Sequence, residues 1–86
     1  MARLLTIHRA IVTLSDRQRY LEKLKTRKAH YVAAGCDFWV FEEVGLPGAF
    51  IEFTEAAEPQ KLGDAHQTAS ERILDAARIY KEVELA

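Results

Sequence analysis

The residues able to carry chemistry in this chain are three histidines (His8, His30 and His66), one cysteine (Cys36) and a group of carboxylates set among aromatics between positions 36 and 55. That last stretch reads as a hairpin. Residues 36–44 and 49–55 are aromatic and β-branched, and Leu46-Pro47-Gly48-Ala49 suits a type II turn, with Pro47 presetting the first corner and Gly48 taking positive φ at the second. Centring the turn on Pro47-Gly48 pairs Val44 with Ile51, Glu43 with Glu52, Glu42 with Phe53 and Phe41 with Thr54. Alternation then puts Phe38, Val40, Glu42, Val44, Ile51 and Phe53 on one face, and Asp37, Trp39, Phe41, Glu43, Phe50, Glu52 and Thr54 on the other. The second face combines an apolar wall with convergent polar groups, as a small-molecule site does. Glu43 opposite Glu52 would repel and raise a carboxyl pKa toward acid–base work. Simple solvation at an exposed hairpin end is the alternative.

The other candidates each have two readings. His66 falls on the apolar stripe of a helix one turn after Leu62, as a base or ligand contact or as a satisfied core histidine. His8 sits mid-strand and either lines the same cavity or faces solvent. Trp39, the only tryptophan, stacks on a flat ligand, anchors a dimer or packs in the core. Lys28 falls inside the apolar stripe of the first helix, where it snorkels or pairs with an acidic group such as Glu52. Cys36 follows a helix C-terminus, where the dipole disfavours a thiolate, so a catalytic thiol is not expected. No C-x-x-C or H-x-x-x-H pair indicates a metal site, and there is no Gly-rich phosphate loop or G-x-S-x-G elbow.

Six elements must position these groups. Residues 3–13 form a first strand. Ser15 with Gln18 makes a capping box for a helix over 16–34, whose stripe is Tyr20, Leu21, Leu24, Tyr31 and Val32 and whose C′ residue is Gly35. The hairpin follows. Pro59 opens a second helix over 60–77 with the stripe Leu62, His66, Ala69, Ile73 and Ala77, and residues 78–85 form a weaker final strand. The βαββαβ order predicts an α+β, ferredoxin-like sandwich, with a four-stranded antiparallel sheet and two helices on one face.

Eighty-six residues make one domain. A chain this short buries only about 60% of its unfolded surface, so a monomer is marginal. With a single cysteine and no metal motif, the missing stability points to a second copy over the bare sheet face. Net charge is −1, from 12 basic and 13 acidic residues, which implies no strong steering of nucleic acid or anionic membrane. Six of the basic residues lie on the first helix, but their angles are scattered and make no stripe. No apolar run approaches a membrane span, and a lone cysteine makes the cytoplasm the default compartment.

Gly35-Cys36 ahead of the second strand, the strand Phe50-Ile51-Glu52-Phe53-Thr54-Glu55, and the segment from Leu62 to His66 resemble the dimeric α/β-barrel superfamily, and within it the antibiotic-biosynthesis-monooxygenase-like group. The resemblance implies a homodimer whose two sheets face each other, without a cofactor. It implies either a module holding a small apolar or aromatic ligand between sheet and helices, or a cofactor-independent monooxygenase acting on quinol-type substrates. In the second case Trp39, Phe41 and Phe50 would hold the substrate and His66 or His8 would take the phenolic proton. The positions used by haem-degrading members correspond to His8, Thr54 and His66, with Thr54 standing where that branch has Trp.

Overall fold

The computed structural model describes residues 3–71, 73 and 76–85. It is an α+β fold: strand β1 (Leu4–Ile11), a one-turn 3₁₀ helix (Leu14–Asp16), helix α1 (Arg17–Ala33), strands β2 (Asp37–Glu42) and β3 (Ala49–Ala56), helix α2 (Pro59–Gln67) and a short strand β4 (Tyr80–Lys81). The four strands form one sheet in the order β2-β3-β1-β4, every neighbouring pair antiparallel. This is compatible with the expected ferredoxin-like sandwich.

Local signals govern most element ends. Gly35 closes α1 at φ 84°, with its N–H donating to Val32 O (3.0 Å) and the Cys36 N–H to Tyr31 O (2.8 Å), which is a Schellman motif. Pro59 opens α2 in its first turn. The expected capping box does not form. The 3₁₀ turn moves the helix start to Asp16, Ser15 shares a hydrogen bond with Thr13, and Gln18 donates to Glu22.

Three expected boundaries are corrected. Helix α2 stops at Gln67 instead of reaching 77, because the Thr68 hydroxyl bonds back to the carbonyls of Asp64 (3.0 Å) and Ala65 (3.3 Å), competing with helix continuation. Of that expected span, Arg72, Leu74 and Asp75 lie outside the described residues. The final strand is two residues long, not eight, because antiparallel pairing carries it off the start of β1: only Glu82 N–H to Arg3 O extends the ladder.

The third correction has the largest consequence. Two turns are stacked at the hairpin tip. Leu46 N–H donates to Glu43 O, Ala49 N–H donates to Leu46 O, and Glu43 N–H reaches Ala49 O at 2.9 Å. Pro47-Gly48 is the second of these turns and not the midpoint, so the true partners are Phe41–Ile51, Val40–Glu52, Trp39–Phe53 and Phe38–Thr54. The shift is an odd number of residues, which exchanges faces. Phe38, Val40 and Glu42 therefore share a face with Phe50, Glu52 and Thr54, while Trp39 and Phe41 share the opposite one with Ile51, Phe53 and Glu55.

Both helices cover the first of these faces. Leu24 and Tyr31 from α1, Leu62 and Ala65 from α2, and Cys36, Phe38 and Ala56 from the sheet side make the core. The α1 stripe is Tyr20, Leu24, Arg27 and Tyr31; Val32, expected on it, is 55% exposed. Among the described residues no helix covers the second sheet face.

Candidate functional site

The helix side of the sheet holds a layer of buried polar groups. Period-two alternation turns Thr6 and His8 of β1 and Glu52 and Thr54 of β3 toward the helices, as His8 pairs with Glu52 and Thr6 with Thr54. His66 is buried in the last turn of α2. Its Nε2 lies 2.7 Å from Thr6 Oγ1 and its Nδ1 2.9 Å from the Tyr31 hydroxyl. Tyr31 also stacks on Phe38 and meets the His66 ring edge-on. A second tie joins the helices one residue earlier: His30 Nε2 lies 2.8 Å from Ala65 O.

Glu52, only 3% exposed, is held from two directions. Arg27 donates to Oε1 and the Tyr20 hydroxyl to Oε2. Arg27 uses its other terminal nitrogen on Glu71 at 3.1 Å. Burial, followed by the hydrogen bond to Glu52, pushes the Tyr20 hydroxyl above its ordinary range, and burial raises Tyr31 as well. His8 is half-buried, and its Nδ1 is without a hydrogen-bond partner among the described residues.

The expected candidates thus divide. His66, His8, Phe50, Glu52 and Thr54 share the helix side, whereas Trp39 and Phe41 lie across the sheet from them. Glu43 is exposed and does not face Glu52, so the expected carboxylate pair is absent. Lys28 is exposed; the cation that meets Glu52 is its neighbour Arg27, one position and therefore about 100° away around the helix. Arg27 and Thr6 were not singled out by sequence reasoning, while Tyr20 and Tyr31 were placed on the helix stripe without a polar role. The spacing of positions 20, 24, 27 and 31 would have added Arg27 to that stripe. Cys36 is buried, which raises its thiol pKa, in keeping with an inert core cysteine.

Both ring nitrogens of His66 are taken by hydroxyls, so the histidine presents no free lone pair to an incoming molecule. The group behaves as a neutral polar tie between β1, α1 and α2. Burial, then the nearby His30 and His8, lowers the His66 pKa below 6.5. The unfolded chain therefore takes up this proton first as pH drops. His66 costs no stability above about pH 7.5, and a penalty develops as pH falls through 6.5 toward the folded-state value. Urea unfolding of wild type is expected to shift to lower midpoints from pH 7.5 to 5.5, with a shallower shift in His66→Gln. Identical pH profiles for the two proteins would refute the assignment.

The open face of the sheet is chemically different. Leu5 and Ile7 of β1, Trp39 and Phe41 of β2, and Ile51 and Phe53 of β3 form a continuous apolar surface, since β1 and β2 both flank β3 in register. The Trp39 and Phe53 rings stack with centroids 6.0 Å apart, and Phe41 meets Phe53 edge-on at 5.7 Å. With Leu5 and Tyr80 these three aromatics line a groove of about 310 Å³. At its rim Arg3 pairs with Glu55 and Glu82. A second depression of about 460 Å³, bordered by Arg9, Phe41, Glu43 and Ile51, lies toward the hairpin tip.

Among the described residues no group of three or more His, Cys, Asp or Glu could hold a metal ion, and no helix is long and apolar enough to cross a membrane. No family model, curated protein or solved structure matches this chain.

Proposed function

We propose that this chain works as a homodimeric α/β barrel, a binding module that holds a small apolar or aromatic molecule on the open face of its sheet. The observation that carries the reading is the groove walled by Trp39, Phe41 and Phe53 on the open face of the sheet, with charged groups at its rim. Its volume of about 310 Å³ falls at the lower end of the range for small-molecule sites, and stacked aromatics with a polar rim suit a flat ligand. A face this apolar is a liability on a free monomer, and a second copy laid against it would both cover the surface and close the groove. The space between sheet and helices is a less suitable berth, because Leu62, Tyr31, Thr6 and Thr54 fill it at 2% exposure or less. The alternative, a cofactor-independent monooxygenase for quinol-type substrates, would need a base beside the ligand. His8 and His66 project to the other side of the sheet from Trp39 and Phe41.

Sedimentation at micromolar concentration is expected to show twice the protomer mass. Phe53→Asp, which places a charge in the centre of the open face, is expected to give a folded monomer. Titration with 1-naphthol as an aromatic probe should quench Trp39 fluorescence in wild type and not in Phe41→Asp. A monomeric wild type would remove the dimer from this reading, and unchanged Trp39 emission at saturating naphthol would remove the groove.

A further inference from the structure

The open face carries charge as well as apolar surface, and the two charges nearest the hairpin tip are unspent. Arg9 lies on the β1 side, opposite Ile51. Glu43 lies on the β2 side, one rung further on, with its N–H bonded to Ala49 O. Both are exposed, and neither enters an ion pair among the described residues, where Arg3, Arg17, Lys23 and Arg27 all do. The two groups border the same 460 Å³ depression from opposite sides, with Phe41 and Ile51 between them.

An isologous interface needs a patch that complements itself. A cation on one flank and a carboxylate on the other, at the same end of the sheet, meet that requirement for one symmetry operation. Turning a second copy about an axis along β3, the middle of the three long strands, lays β1 of each copy over β2 of the other and keeps the hairpin tips at the same end. Arg9 then comes down beside the other copy's Phe41, one rung from its Glu43. Facing sheets are about 10 Å apart and one rung is about 7 Å along the strand, a span that an arginine and a glutamate bridge together. The guanidinium can also rest on the Phe41 ring.

We propose that a second copy of this chain docks on the open sheet face in this orientation, locked by two symmetry-related Arg9–Glu43 ion pairs. The proposal rests on the homodimer reading above and specifies its geometry. The lock closes the depression at the hairpin tip and leaves the Trp39–Phe53 groove, at the other end, inside the assembly. The apolar surface supplies the binding energy. The charges favour this orientation, because an alignment that separates Arg9 from the other copy's Glu43 leaves both without a partner or sets like charges together.

Charge reversal tests the lock. Arg9→Glu and Glu43→Arg each oppose two like-charged pairs in a homodimer, so each variant alone is expected to self-associate at least about tenfold more weakly than wild type. Mixing the two in equal amounts restores both opposite-charge pairs, and the heterodimer is expected to form with an affinity near that of wild type. Both substitutions are at exposed positions, and circular dichroism should show each variant folded. If wild type is a dimer and either single variant associates as tightly, or the mixture fails to recover, the orientation is wrong while the homodimer stands. If wild type is a monomer, the homodimer reading and the lock fall together. A partner other than a second copy would then have to be sought for this face.

Discussion

Replacing Arg27 by Met is expected to destabilise the protein by about 3–5 kcal/mol, among the largest effects any single side chain here can have. The side chains of Arg27 and Glu52 are 10% and 4% exposed, and they meet between α1 and β3 with the Tyr20 hydroxyl on the remaining carboxylate oxygen. Removing the guanidinium leaves a buried carboxylate with one hydroxyl partner and no compensating charge, and the cost is the desolvation of that carboxylate, not the worth of the pair. The double variant Arg27→Met/Glu52→Leu should recover most of the loss, since two apolar groups of similar volume need no partner. Urea unfolding measures both, with the midpoint falling and the slope unchanged. A cost below about 1 kcal/mol for Arg27→Met would show that water reaches Glu52 and that the site is not sealed by α1.

The second large effect is at the hairpin. Gly48→Ala is expected to cost roughly 2–4 kcal/mol, from positive φ for a residue with a Cβ and from displacement of backbone. Gly48 sits at φ 96°, and a Cβ there would lie 2.4 Å from the carbonyl oxygen of Val12. That oxygen belongs to main chain held in place by the Val12 N–H donating to Gly48 O at 2.8 Å. The Gly48 N–H meanwhile donates to Glu42 Oε2 at 2.8 Å, and Arg17 clamps the same carboxylate through both terminal nitrogens. Those bonds, the Arg17 pair first, hold the Glu42 carboxyl down to about 2. One methyl group therefore disturbs the turn, the β1–β3 junction and the start of α1 together. Gly45→Ala is the control, because a Cβ there meets nothing within 4 Å. A thermal midpoint that drops for Gly48→Ala by about 4–8 °C per kcal/mol and hardly moves for Gly45→Ala is the expected pattern. Equal, small shifts for both would mean that the tip rearranges freely.

How far the residues themselves announced these sites varies with the range of the interaction. Gly35 at C′, Pro59 opening α2 and positive φ at Gly48 were all legible, because each depends on the backbone of two or three adjacent residues. The register of the hairpin was not. Val44 reads as strand, being β-branched, yet it is 98% exposed at the tip, and the turn from Glu43 to Leu46 in front of Pro47 shifts the pairing by an odd number of residues. Trp39 and Phe41 were expected beside Glu52 and Thr54 for that reason alone. Lys28 is exposed, as its snorkelling reading has it, and the alternative pairing with Glu52 falls to Arg27 instead, one residue being more than a quarter-turn of helix.

By itself, then, the sequence determined the order of elements, the antiparallel sheet with two helices, and the residue types available for chemistry. Periodicity, turn chemistry and end signals act over a few neighbouring positions and survive without knowledge of what packs against them. Tertiary structure alone decided which side chains meet. It buried Glu52 against Arg27 and His66 between Thr6 and Tyr31, and it collected Trp39, Phe41 and Phe53 on the uncovered face with Arg9. These choices turn on parity in a two-residue repeat and on angle in a 3.6-residue one, so a displacement of one residue moves a side chain from one compartment of the fold to another.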